Sequence, residues 1–161
     1  SVSEEAGRFT AVLQSRKAEL RRDPVPRTSP TCRAVFCGPT CQLSPAGFTH
    51  LVRVTSHAAA SNAVMVAAPV PLTLLAGGSL RWFDGPYAGQ ATGIVALGAD
   101  GLVLDMPLDQ IIPPGTAALA REGCDRTLDT CHSRFGNAVN FQGEPFLPGN
   151  DQLARYASPA Q

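Results

Sequence analysis

The sequence predicts an α+β domain: an N-terminal helix, a small and mostly antiparallel β-barrel, and a cysteine-linked cap formed by both ends of the domain. Three observations predict it. Apolar residues recur at helical spacing near the start; short alternating segments separated by Gly, Pro and Asp-Gly turns fill the middle; and cysteines gather in two clusters at the flanks. A chain of 161 residues is long enough to bury a hydrophobic core of its own.

Ser3 is a helix N-cap in pattern, and Glu4 and Glu5 follow where a helix dipole favours negative charge. Phe9, Val12, Leu13 and Leu20 continue at helical intervals, so an amphipathic helix is expected from about Glu4 to Arg22. Asp23-Pro24-Val25-Pro26 ends it, because proline lacks the N–H that the next turn needs. The chain opens on Ser1 in a segment already helical in pattern, which suggests the C-terminal part of a longer protein.

From Gly47 to Arg121 strands are expected at Phe48 to Thr55, Ala63 to Val66, Gly78 to Phe83, Gln90 to Ala96, Leu102 to Leu104 and Thr116 to Ala120. Leu72 to Leu75, flanked by prolines, reads as a short edge strand. Turns are expected at Asp84-Gly85-Pro86 and Ala99-Asp100-Gly101. Cys124 to Cys131 reads as a helical turn or two with both thiols on one face. The Gly-, Asn- and Pro-rich stretch from Phe135 to Asp151 is expected to be irregular. The expected units are therefore residues 1–27, helix and Pro-rich linker; 28–151, barrel and cap; and 152–161, a tail.

Thirteen basic and thirteen acidic residues leave no net charge, which argues against a dedicated nucleic-acid binder. Arg8, Arg16, Lys17, Arg21, Arg22, Arg27 and Arg33 crowd the start but are offset by Glu4, Glu5, Glu19 and Asp23, as on a solvated or partner-facing helix. The longest apolar stretch, Ala63 to Leu75, contains Pro69 and Pro71 and is too short to span a bilayer. No charged-then-apolar leader precedes it.

Cys32, Cys37 and Cys41 lie in one loop, and Cys124 and Cys131 near the other end. An odd count leaves at least one thiol outside any disulfide framework. Spacing alone leaves a structural metal or cluster, one or two disulfides, and unlinked buried thiols all open. Zinc sites usually show tight Cys-x-x-Cys pairs, which are missing here; iron–sulfur clusters tolerate wider gaps because their irons sit at separated corners. The Gly38-Pro39 turn folds the first loop back and favours Cys32 with Cys41 as its outer pair.

The other candidates carry little chemistry. His132 adjoins Cys131, but neighbours on a helix point about 100° apart and make a poor catalytic dyad. His50 and His57 lie in or beside a strand pattern with no acid placed near them. Arg81-Trp82-Phe83-Asp84-Gly85-Pro86-Tyr87 reads as core running into a turn rather than an aromatic binding platform. Asp100, Asp105 and Asp109 lack the alternating ligand spacing of a calcium loop. No enzyme is expected.

Thr28-Ser29-Pro30-Thr31-Cys32-Arg33-Ala34-Val35-Phe36, Arg121-Glu122-Gly123-Cys124-Asp125 and Cys131 together resemble the C-terminal region of the tail-tip (baseplate) hub family. So do Arg134-Phe135-Gly136-Asn137-Ala138-Val139-Asn140-Phe141-Gln142-Gly143-Glu144-Pro145 and Leu147-Pro148-Gly149-Asn150-Asp151. That family belongs to long-tailed phages and the phage-derived gene transfer agents of alphaproteobacteria, and the resemblance runs from about Arg21 to Asp151. In it, and in the related lambda-type tail-tip protein, four cysteines hold a [4Fe–4S] cluster. The resemblance thus implies Cys32, Cys41, Cys124 and Cys131 as cluster ligands. Cys37, without a counterpart, is a spare thiol that could exchange with Cys41.

The resemblance further implies a structural virion component, with no reaction. It implies a homo-trimeric hub that closes the tail tube between a distal tail ring protein and a central fibre or tip protein. DNA would pass through its channel into the recipient cell without being specifically bound. The particle would be assembled in the bacterial cytoplasm. The competing expectation is a secreted, disulfide-stapled β-domain that binds a cell-surface ligand.

Overall fold

Alternation of inward and outward side chains, interrupted by register shifts at Val54/Ser56 and Ile94/Ala96, builds the middle of the chain. In the computed structural model, which describes residues 2–5, 8–11 and 28–147, Val52 and Val54 are buried while Leu51 and Arg53 are exposed on the same strand. This period of two is that of a sheet with one face in a core. The strands are β1 (Val2–Glu5), β2 (Arg8–Ala11), β3 (Thr49–Ala58), β4 (Ala63–Ala67), β5 (Ser79–Trp82), β6 (Ala91–Gly98), β7 (Gly101–Leu104) and β8 (Ala117–Arg121).

β1 and β2 pair with each other as a two-stranded antiparallel sheet, while β3 to β8 close into a barrel in the order β3-β4-β7-β6-β5-β8. All barrel pairs are antiparallel, and β3 closes the circle on β8 with Leu51 opposite Leu119 and Val52 opposite Ala118. The core holds Val52, Val54, Val64, Leu75, Leu80, Trp82, Ile94, Leu102, Leu104 and Ile112, with Ala118 and Ala120 as small inward residues on β8. Trp82 satisfies its buried indole N–H by donating to Thr92 Oγ1 at 3.0 Å.

The expected α+β arrangement is corrected at four points. Residues 2–5 and 8–11 are strands, so no helix starts at Glu4. Gly7, between them in sequence, disfavours a helix, whereas Val2, Phe9 and Thr10 favour strands. The rest of that expected helix and the 152–161 tail lie outside the described residues. Leu72–Leu75 is a 3-10 turn after Pro71 rather than an edge strand, and it plugs Leu75 into the core. The one α-helix among the described residues is α1 (Leu128–Ser133), so Cys131 is helical and Cys124 is not. Nor is there a cysteine-linked cap, since all five thiols are free. Among the described residues the architecture is a small six-stranded antiparallel barrel with one short helix. No helix of the described residues is long and apolar enough to cross a membrane.

Candidate functional site: the thiol junction

Two segments without regular strands, 28–43 before the barrel and 122–147 after it, lie against each other through backbone hydrogen bonds. Cys32 N donates to Arg126 O at 2.8 Å, Arg33 N to Gln142 O at 3.0 Å and Glu144 N to Ser29 O at 2.8 Å. These long-range bonds do for irregular chain what ladders do for strands, satisfying backbone groups that burial would otherwise strand. The Arg33 guanidinium forms a fork on the Glu144 carboxylate with two contacts of 2.6 Å, and Glu144 also accepts from Ser29 N at 2.9 Å. Together these donors hold the Glu144 carboxyl at about 2, below its ordinary value of 4.5.

Asp125 prepares the entry to α1. One carboxylate oxygen accepts from the Thr127 N–H and hydroxyl at 2.9 and 3.0 Å, and the other from Thr130 Oγ1 at 2.7 Å. Thr127 is the N-cap, accepting from Thr130 N at 3.2 Å. The donors pull the Asp125 carboxyl below its usual range against a desolvation that opposes them. Arg126 reaches the helix start through a left-handed turn at φ 62°.

Cys32, Cys41, Cys124 and Cys131 line one small cavity together with Ala34, Phe36, Leu43, Phe135 and Asn137. Cys41 and Cys131 are buried, Cys32 and Cys124 half-buried. Gln142 N donates to Cys32 Sγ at 3.3 Å, Arg126 N to Cys124 Sγ at 3.4 Å, and the Asn137 amide to Cys41 O at 2.7 Å and Cys41 Sγ at 3.7 Å. Burial pushes the Cys124 and Cys131 thiols up, with the neighbouring thiols adding to it. Cys37 lies outside this lining, held at φ 57°, and its thiol is also raised, first by burial. Raised thiols stay protonated at neutral pH and are poor nucleophiles, which counts against activation of Cys37, Cys124 or Cys131. Beside the cavity Phe36, Phe48 and Phe135 pack with centroids 4.9 to 5.5 Å apart.

The expected [4Fe–4S] cluster is corrected. The cavity does gather the four sulfurs, but among the described residues no group of three or more His, Cys, Asp or Glu side chains is placed to hold a metal ion. Its free space is about 20 Å³, room for about one water molecule. The disulfide-stapled alternative finds no pair to support it, because every cysteine is a free thiol.

Buried Glu122 joins this junction to the barrel. It accepts from His50 Nε2 on β3 at 2.7 Å and is paired on its other oxygen with Arg134, at the end of α1. Arg134 also donates to Gly123 O at 3.4 Å. Gly123 packs so tightly on the turn after Leu75 that an added Cβ would lie 1.7 Å from Ala76 O. Sequence reading gave none of Glu122, Arg134, Asn137 or Glu144 a role. The signal was present, since all four fall in the stretches that carry the family resemblance, but a charge or amide announces its partner only once the segments meet. His132 is exposed, and half-buried His57 accepts from Ile112 N at 3.2 Å.

Residues 73–151 match the profile of a family described as phage conserved hypothetical protein BR0599. No curated protein matches the sequence. Among solved structures, a chain of the virion of a native gene transfer agent particle is similar at 27% identity and a TM-score of 0.72. The alignment covers 100% of this chain and 57% of that one, so the chain spans little more than half of its structural relative. Over its full length the chain is thus similar to part of a gene transfer agent virion protein, and over its second half to a phage protein family.

Proposed function

We propose that this chain is a structural component of a phage or gene transfer agent particle, and within it the C-terminal part of the tail-tip hub. The observation that carries the reading is the full-length likeness, at 27% identity and a TM-score of 0.72, to a chain of a gene transfer agent virion. The motifs around Arg121 to Asp125 and Arg134 to Asp151 supply the finer assignment to a hub. In that role the domain works as a homo-trimer between a distal tail ring protein and a central fibre or tip protein. It closes the tube and opens for DNA, which passes without being specifically bound. Assembly takes place in the bacterial cytoplasm before the particle leaves. The domain's contribution is architectural, in keeping with a likeness to virion components rather than to any enzyme.

Cys32, Cys41, Cys124 and Cys131 are the residues on which the domain's own integrity turns. They form the apolar centre at which the two segments close, and small hydrophobe-like thiols pack well there.

The test is to purify particles from the producing cells and quantify this chain by mass spectrometry, alongside electron microscopy of a deletion strain. Stoichiometric presence, and tails that lack a finished tip in the deletion, are expected. Particles without the chain, or normal tips in its absence, would refute the reading.

A further inference from the structure

β6 outruns its neighbour. Its pairing with β5 sets Arg81 opposite Ala91, Leu80 opposite Thr92 and Ser79 opposite Gly93. One further exchange follows, with Ile94 N donating to Gly78 O and Gly77 N to Ile94 O, both at 2.9 Å. Ahead of Gly77 the chain lies in the 3-10 turn Leu72–Leu75, which drops Leu75 into the core. Among the described residues, the end of β6 from Val95 to Gly98 is therefore paired on one side only, with β7. Burial marks the same break: Thr92 and Ile94 are buried, whereas every residue from Val95 to Gly98 is exposed.

The register fixes what this edge offers. Gly98 lies opposite Gly101 across the short turn Ala99-Asp100, and the closing pair of such a hairpin exchanges both its hydrogen bonds. Bonding then alternates, so at Leu97, opposite Leu102, the N–H and C=O point away from β7 toward the open side. A donor and an acceptor thus stand ready for another strand. From Tyr87 to Ala99 there is no charged residue and no proline, the side chains that usually blunt such an edge; its irregularity is the register shift between Ile94 and Ala96. Beside it lies a groove of about 490 Å³ lined by Val95 together with Leu74, Ala76, Gly77, Asp125 and Arg134. The charges in that lining are engaged within the chain, Arg134 with Glu122 and Asp125 with Thr127 and Thr130.

We propose that the Val95 to Gly98 edge is a docking site for an extended segment of a different virion protein. That segment adds to the barrel as a further strand beside β6 and lays alternate side chains in the groove. The backbone bonds at Leu97 set its register, and the groove selects its side chains. With the lining charges already paired, the groove suits an uncharged segment with apolar residues at every second position. A second copy of β6 fits less well, because identical edges that pair antiparallel do so about a two-fold axis, which a three-fold hub lacks. The proposal deepens the reading of the chain as a virion component and rests on it.

Amide hydrogen exchange in the isolated full chain and in purified particles tests this. The Leu97 N–H is expected to exchange freely in the isolated chain and at least about tenfold more slowly in particles, as an amide held in a ladder does. The photo-reactive residue p-benzoylphenylalanine, placed at Val95, should form an adduct in particles with another virion protein, mapped by mass spectrometry to an extended, uncharged segment. Leu97→Pro removes a donor that the chain's own ladder does not use; it should abolish the adduct and leave the thermal melt followed at Trp82 in place. The exchange and cross-linking measurements do not depend on that variant folding. Leu97 exchanging as fast in particles as in the isolated chain would overturn the site, as would an adduct that survives Leu97→Pro. Slow exchange in the isolated chain would give the edge to this chain itself, and an adduct between copies would give it to a second copy; either result overturns the proposal. Particle content keeps the two readings apart: a chain present in particles with its edge open sinks only the docking site, and a chain missing from particles sinks the virion role with it.

Discussion

Glu122 sits where three parts of the chain converge, and its two oxygens serve two of them, His50 from the barrel and Arg134 from α1. Glu122→Ala would leave His50 without its acceptor and Arg134 with only the long bond to Gly123 O, in a half-buried site. A loss of about 1–3 kcal/mol is expected, the cost of stranding hydrogen-bonding groups, measured by urea denaturation with His50→Ala and Arg134→Ala as the double-mutant partners. Glu144 acts through pH. Its folded value of about 2 lies below the ordinary 4.5, so its contribution is fully present above about 4.5 and fades as pH falls toward 2. The hydrogen-exchange protection of residues 28–36, taken relative to the intrinsic exchange rate at each pH, should therefore fall on acidification across that window. In Glu144→Gln the exchange should be fast already at neutral pH and show no such step. Unchanged exchange in the variant would remove Glu144 as the clasp. These pairings were not legible beforehand: Arg33 and Glu144 are 111 positions apart, and no local pattern links them.

At the scale of elements, strands were the most readable part. Alternation at Leu51 to Val54 and Leu80 to Trp82 falls where β3 and β5 lie, and the Asp-Gly turns at 84–85 and 100–101 fall in the β5–β6 connection and the β6–β7 hairpin. The N-terminal helix was misread at residues 2–5 and 8–11, which are strands, because apolar spacing over a few residues does not separate the two periods. The four thiols that the family resemblance singles out line one cavity, but thiol spacing alone says nothing of what such a group holds. Trp82→Ala removes the largest core side chain and should cost about 3–5 kcal/mol; Trp82→Phe should cost less and free the Thr92 hydroxyl, with thermal melts ordering the two. Gly123→Ala has no room for its methyl beside Ala76 O. It should destabilise by about 1–3 kcal/mol through overpacking, read in the same melts.

The barrel as a whole closes through its first and last strands, with Thr49 paired to Arg121 and Arg53 to Ala117. Such pairing demands a large loop closure before it returns any contact energy, so folding should take milliseconds to seconds, the range of small barrels. The single tryptophan reports it directly, since Trp82 passes from water to a core site that is 1% exposed. Stopped-flow fluorescence should show a single slow phase in that range. A microsecond phase carrying the full amplitude would mean that local structure, rather than closure, limits folding.

The passage from β8 to the thiol junction has a mechanical consequence. At Gly123 the chain is pinched against Ala76 and Gly77, and Glu122 and Arg134 brace it on both sides. A load applied to the C-terminal segment cannot swing it as a tether. The load enters β8 along the strand axis, where ladder bonds to β3 and β5 lie crosswise to the force. Loaded in that direction the rungs share the strain and yield together, so the junction is a rigid lever rather than a hinge, and a pull at the tip turns the barrel before it unravels it.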